Sequence, residues 1–384
     1  MILINHLQKY SLFSFLFFIN FQEWDVLNIG FFSVSKLIGL IYFMTILPQF
    51  TFFTNNDRNK KYLLSIWILF GLLTLVNVLN INSASSNIID FSLFQNIFLF
   101  LFLINHARKD PMLLEKGMLS IAMGSVSLAL LFNAGIGIEY LLGRVIMFGE
   151  NSNIVGLRMC ISIVILISVV IQNRLNLGRL RYLFLLPIPL MLLLMAETGS
   201  RTAIITFGII FILGIFLLKT KKYWTKLFVL AIGAAALFYS ILLIMQSELL
   251  IQRLLLSYTE GDLSSRDVIW EMVLPIIMRN PIVGVGQTGY FYYMGDMSPH
   301  NVFLEVLCYS GIVGLFLYLN FLVHVFIASY KTYKLSGYIL PMILMIPITA
   351  WLISGQLLTQ KLGWIIFAFI VSSSTLISKE TVKV

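Results

Sequence analysis

Apolar runs of about twenty residues recur along most of this chain, and they constrain what it can become. A helix needs roughly 20 mostly apolar residues to cross the hydrocarbon core of a bilayer. Runs near that length fall at residues 7–22, 29–53, 62–80, 90–105, 112–132, 153–171, 182–197, 202–218, 226–245, 301–327, 338–354 and 362–378. In lipid every backbone N–H and C=O must be satisfied internally, which such runs achieve as helices. The expected fold is an all-α polytopic membrane protein with about twelve spans, a single integral membrane domain over residues 1–384. Composition agrees. At 59% hydrophobic and 11% charged residues, with mean hydropathy +0.94, the chain has too little polar surface for a soluble domain. The N-terminal run has no small-residue cleavage site and reads as a retained first span. Cys160 and Cys308 lie inside apolar runs without metal-ligand spacing, and read as buried structural cysteines.

The net charge of +9 would suggest nucleic acid in a soluble chain. Here the basic residues fall in short clusters between runs, the pattern of topology determinants, so nucleic acid is not expected as a partner. Arg58, Lys60 and Lys61 follow the second run, and Arg108 and Lys109 the fourth. Arg174, Arg179 and Arg181 follow the sixth, and Lys219, Lys221, Lys222 and Lys226 the eighth. Lys331 and Lys334 follow the tenth, and Lys379 and Lys383 the twelfth. Every cluster falls on one side, which the positive-inside rule makes cytoplasmic, with both termini inside.

The opposite side carries arginines: Arg144, Arg158, Arg201, Arg253, Arg266 and Arg279, with Lys36 and Lys361 nearby. Positive charge there works against insertion, so it needs another reason. A guanidinium offers a planar fork that fits phosphate in a bidentate way. The alternative is that each pairs with an outer carboxylate such as Glu150, Glu197, Asp267 or Glu271.

Residues 246–300 form the one large outer loop, between the ninth and tenth runs, where charges, turn residues and aromatics mix. Ser264 to Asp267 has capping-box-like spacing, which starts a helix at Arg266. Val268, Ile269, Trp270, Met272, Val273, Ile276 and Ile277 give that helix an apolar face, and Pro275 keeps it from spanning, so it should lie along the membrane surface. Asn280-Pro281 stops it, Gly284 and Gly286 make a turn, and Tyr290 to Tyr293 suit an interfacial belt or a platform for sugar rings. Two further outer segments stand out. In residues 143–158, Asn151 or Ser152 can cap the sixth run, with Arg158 below the cap facing a polar cavity or snorkelling to headgroups. In residues 196–203, a tight hairpin tip, Arg201 sits at a helix start, where amide donors and guanidinium together suit an anion. The loop closes on His300, followed by Asn301 and, one turn on, Glu305. An imidazole there can take a proton from a hydroxyl, with a carboxylate to orient it, or can be purely structural.

The run HNVFLEVLCYSGIVG, residues 300–314, has a His-Asn pair, nine intervening residues, then Gly311, with Gly314 beyond. Together with SSRDVIW, NPIVGVG and GSRTA it resembles the O-antigen ligase/polymerase superfamily of bacterial surface-polysaccharide assembly, over about residues 143–330. The resemblance implies a membrane glycosyltransferase on the periplasmic face of the cell inner membrane. Its donor would be a glycan on undecaprenyl diphosphate, and transfer would invert the anomeric centre. Carried over by residue, Arg201 and Arg266 would bind the diphosphate and His300 would act at the acceptor hydroxyl. Arg158, Arg144, Arg279, Asn301 and Glu305 are candidate substrate contacts. No cofactor is expected and no metal ligand is assigned, since no outer loop holds an Asp-x-Asp motif or a His/carboxylate cluster. Membrane lipids are expected partners, with the chain-length regulator and flippase of the same pathway as further candidates.

Within the superfamily, a polymerase that joins lipid-linked repeat units is the first expectation, and a ligase that moves the glycan onto the lipid A core is the alternative. A flippase for lipid-linked sugars would also fit twelve spans. It would need repeated halves and polar groups at the midplane, and this sequence shows neither. The large loop reads as a lid over a phosphate site built by the bundle.

Overall fold

A computed structural model of the chain describes residues 2–25, 33–47, 57–80, 91–108, 110, 112–219, 223–246, 251–252, 255, 266–295, 297–355 and 358–381. It is mostly helical, and each of the twelve apolar runs carries helix. In the first part of the chain these are α1 (Ile2–Phe18), α2 (Val34–Ile46), α3 (Asp57–Leu79), α4 (Phe91–Ala107) and α5 (Leu113–Asn133). Two short strands follow, β1 (Ile138–Leu141) and β2 (Arg144–Met147), and then α6 (Ser152–Gln172), α7 (Ile188–Glu197), α8 (Arg201–Leu217) and α9 (Tyr223–Gln246). The loop supplies α10 (Arg266–Arg279) and α11 (Gly286–Met294). The chain ends in α12 (Val302–Ser336), α13 (Leu340–Ile343), α14 (Met345–Ser354) and α15 (Lys361–Thr381). Among the described residues five segments are long and apolar enough to cross a membrane: Tyr62–Leu79, Leu113–Asn133, Ser152–Gln172, Gly178–Glu197 and Val302–Ser336. The other apolar helices contribute described stretches of 10–17 residues.

Three features depart from the sequence expectation. The fold is not purely helical, because β1 and β2 pair antiparallel ahead of α6, with Ile138 opposite Met147 and Leu141 opposite Arg144. Among its described residues the loop holds a further helix, α11, beyond the one expected at Arg266. This helix lacks a cap of its own and borrows one: the Asn77 side-chain oxygen accepts from the N–H groups of Gln287 (2.7 Å) and Thr288 (3.3 Å). Finally, α12 is broken at Gly311 (φ 61°, ψ −164°). The freed N–H groups of Ile312 and Val313 donate to the carbonyls of Pro281 and Ile282, and Val285 N–H donates to the carbonyl of Cys308. A Cβ at Gly311 would lie 2.2 Å from the Ile282 backbone, so only glycine permits this contact. The capping box expected at Ser264 lies outside the described residues.

Packing centres on α6, whose membrane window is 83% buried. Lipid offers apolar helices no hydrophobic drive to associate, so close approach through small residues does the work. Gly124 of α5 meets the Phe17 carbonyl of α1, and Gly156 of α6 faces Thr198, Ser200 and Ala203 at the start of α8. The second contact matters most, because it brings the N-terminus of α8 against that of α6. Most buried side chains form one continuous core. A second, smaller cluster joins Val273, Ile276 and Ile277 of α10, Tyr290 and Met294 of α11, Val285 before it and Cys308 of α12. The loop helices and the segment of α12 before its break are therefore packed as one piece.

Candidate active site

The polar end of α6 is built first. Asn151 caps it, its side chain accepting from Asn153 N–H at 2.9 Å. Arg144, on β2, reaches across, donating from Nη2 to Asn153 Oδ1 (2.7 Å) and from Nε to the carbonyl of Thr198 (2.9 Å). The α7–α8 tip turns at Gly199 (φ 59°), and Ser200 caps α8 by accepting from Ala203 N–H. Arg201 is thus the first residue of α8, half-buried, three positions from the carbonyl that Arg144 holds.

The loop brings the other half. Arg266 opens α10 and donates from Nη2 to the carbonyl of Ser354, the last residue of α14, at 3.2 Å. Trp270, one turn on, donates its indole N–H to the carbonyl of Pro299 at 2.8 Å. Tyr290 donates its hydroxyl to the carbonyl of Met297 (2.6 Å), and Ser298 accepts from His300 N–H (3.2 Å). These bonds hold His300 at φ 49°, a left-handed conformation uncommon outside glycine, though Asn, Asp and His adopt it more often than other residues. Strained backbone of this kind persists only where its surroundings over-determine it. Asn301 then caps α12, accepting from the N–H groups of Phe303 and Leu304.

His300 lines a cleft with Asn151, Asn153, Ile154 and Leu157 of the α6 end and with Trp351, Ser354 and Gly355 of the α14 end. Burial, and then the positive charge of Arg266, hold its imidazole below the ordinary histidine range. At neutral pH it is therefore an unprotonated base, and a guanidinium stands within electrostatic reach.

Of the sequence candidates, His300, Arg266 and Arg144 meet at this cleft, with Arg201 beginning the adjoining helix. The others lie elsewhere. Arg158 is fully buried within α6 and ion-paired to Glu150 at 2.8 Å, with a bond from Nη1 to the carbonyl of Asn20. It takes the carboxylate-pairing alternative. Glu305 is buried and accepts from the Ser298 hydroxyl at 3.2 Å, so it props the turn that carries His300. Asn301 spends its oxygen on capping. Arg279 is exposed at the far end of α10, about 20 Å from Arg266 along the helix axis. No group of three His, Cys, Asp or Glu side chains occurs among the described residues. The sequence reading missed Trp270 as the anchor of the His300 turn, and it missed Trp351, Ser354 and Gly355 as cleft wall. Those four are unmarked because tryptophan, serine and glycine in or beside apolar helices carry no signal of their own.

The fold and the cleft together define a helical membrane protein with a histidine-and-arginine site at one end of its bundle. Residues 186–319 match the family model described as O-antigen ligase. Over this stretch the match supports a likeness to the O-antigen ligase/polymerase superfamily. The matched stretch contains Arg201, Arg266 and His300; the cleft walls from α6 and α14 lie outside it. No curated protein matches the chain.

Proposed function

We propose that this chain is a metal-independent membrane glycosyltransferase acting on a glycan carried by undecaprenyl diphosphate, at the periplasmic face of the cell inner membrane. The observation that carries the reading is the meeting of His300 and Arg266 at one cleft, both from the segment that matches the O-antigen ligase family. His300 takes the proton from the acceptor hydroxyl. The acceptor oxygen bonds to the anomeric carbon of the donor sugar as the bond from that carbon to the diphosphate oxygen breaks. The electron pair leaves with the diphosphate, and the guanidinium groups of Arg266 and Arg201 neutralise its charge as it develops. Arg144, held between Asn153 and Thr198, adds positive charge on the α6 side. Twelve spans with both termini cytoplasmic complete the reading, and the chain-length regulator and flippase of the pathway are its proposed partners.

Polymerisation of lipid-linked repeat units is the activity we favour. Ligation of the glycan to the lipid A core is the second reading, supported by the description of the family that matches. Surface polysaccharide from a strain lacking the chain separates them on a gel. Loss of a polymerase leaves single repeat units on the core; loss of a ligase leaves the core bare while lipid-linked glycan accumulates. An unchanged ladder would refute both.

A further inference from the structure

The cleft has an inner wall that the transfer chemistry above does not use. The space between its walls, open solvent at the mouth included, is about 400 Å³. Its lining is mixed: the carboxamides of Asn151 and Asn153, the aliphatic groups of Ile154 and Leu157, and the indole of Trp351. No lysine or arginine lines it; Arg266 and Arg144 attach at its rim, through Ser354 and Asn153. A diphosphate therefore belongs at the rim. The interior suits an uncharged ligand that has both an apolar face and a polar edge.

Two details sharpen this. Trp351 is 1% exposed, and its indole N–H makes no hydrogen bond among the described residues. The indole lines the cleft, where a ligand hydroxyl can accept from its N–H. The same indole edge faces Gly355: a Cβ there would lie 2.5 Å from Cδ1 and 2.9 Å from Nε1. Any larger residue would cover that edge, and Gly355 itself lines the cleft. On the other wall, Asn153 gives its oxygen to Arg144, which leaves its amide nitrogen as a donor.

We infer that this wall, formed by the ends of α6 and α14, is the subsite for the acceptor sugar, and that Trp351, Asn153 and Gly355 set which sugar ring is accepted. The ring's C–H face packs on Ile154 and Leu157, its hydroxyls meet Trp351 and the asparagines, and one hydroxyl is presented to His300. This inference rests on the transferase reading for the identity of the ligand, but its test does not.

The test uses the full-length chain in detergent or nanodiscs, titrated with an oligosaccharide released by mild acid from the host's own surface polysaccharide. Binding is followed by tryptophan fluorescence and by magnetisation transfer to the sugar protons. Trp351→Phe keeps an aromatic ring but removes the N–H together with the pyrrole ring, and Asn153→Ala removes one donor. Each should weaken binding about threefold to tenfold, the worth of one hydrogen bond. Gly355→Ala should weaken it on the same wall by steric cover, so the outcome does not hang on one variant folding, and thermal melts check all three. Absence of saturable binding by the wild type, or equal affinity in all variants, overturns the subsite. Binding lost as expected in a chain that transfers nothing from lipid-linked glycan would keep the subsite and overturn the transferase reading instead.

Discussion

At His300 a left-handed backbone, a buried imidazole and the charge of Arg266 act together. The folded pKa lies below the ordinary 6.5, and the neutral form is the base. Activity should therefore be present above that pKa and be lost as pH falls through it, with the acid limb of kcat/KM below the usual histidine position. Arg266→Gln removes the charge, and the limb of its residual activity should move up in pH; Arg266→Lys should leave it in place. A limb that stays put in Arg266→Gln would show that the guanidinium does not act on His300. His300→Ala should cost roughly 10²–10⁴ in rate, the usual worth of a general base. Arg158 and Glu150 invite a different experiment. Removing one partner of a buried pair typically costs about 3–5 kcal/mol, so Arg158→Met should lower the thermal midpoint sharply at neutral pH. Burial already pushes the Glu150 carboxyl up, so it protonates readily once Arg158 is gone, and the deficit should shrink in mild acid. The arginines were legible in the sequence because positive charge apart from the lysine clusters has to be explained, and His300 because it stands beside Asn301 with Glu305 one turn on. That Arg158 turns inward to Glu150 was legible only as one of several options, because a helix position does not say which neighbour a side chain meets. Trp351 was not legible at all.

At the scale of elements, the break in α12 ties the two parts of the site together. Pro281–Val285 fills the break, so the segment carrying His300 and the helix carrying Arg266 share one small core. Gly311→Ala meets both a positive φ and backbone atoms at 2.2 Å, and neither can yield cheaply. A strain of about 1–3 kcal/mol is expected, read as a lower melting temperature together with reduced transfer. Wild-type stability in that variant would mean that the break is incidental. The sequence showed Gly311 only as part of a signature. The reason for it lies about thirty residues upstream, in a backbone that docks there, and hydrophobic periodicity cannot report such a tertiary contact. The β1–β2 hairpin escaped for a similar reason: strands of four residues beside a glycine turn carry little pattern. By contrast, helix at each apolar run was plain, since length and hydropathy alone decide it in a membrane.

Across the whole molecule, lysine-rich ends should face the cytoplasm and the cleft should face out. Single cysteines test this cleanly, because the native Cys160 and Cys308 are buried. Tyr293→Cys should react with an impermeant maleimide on intact cells freed of their outer membrane, and Lys334→Cys only after the inner membrane is opened. The reverse pattern would invert the topology and place the cleft on the wrong side for its donor. The central claim, that this cleft transfers a glycan from a lipid diphosphate with His300 as base, is tested most directly by transfer in reconstituted vesicles. Supplied with lipid-linked glycan from a strain lacking the chain, the wild type should elongate or transfer it and release undecaprenyl diphosphate. His300→Ala and Arg266→Ala, present in equal amounts, should leave it almost unchanged. Transfer by His300→Ala at the wild-type rate, or none by the wild type, would contradict the claim.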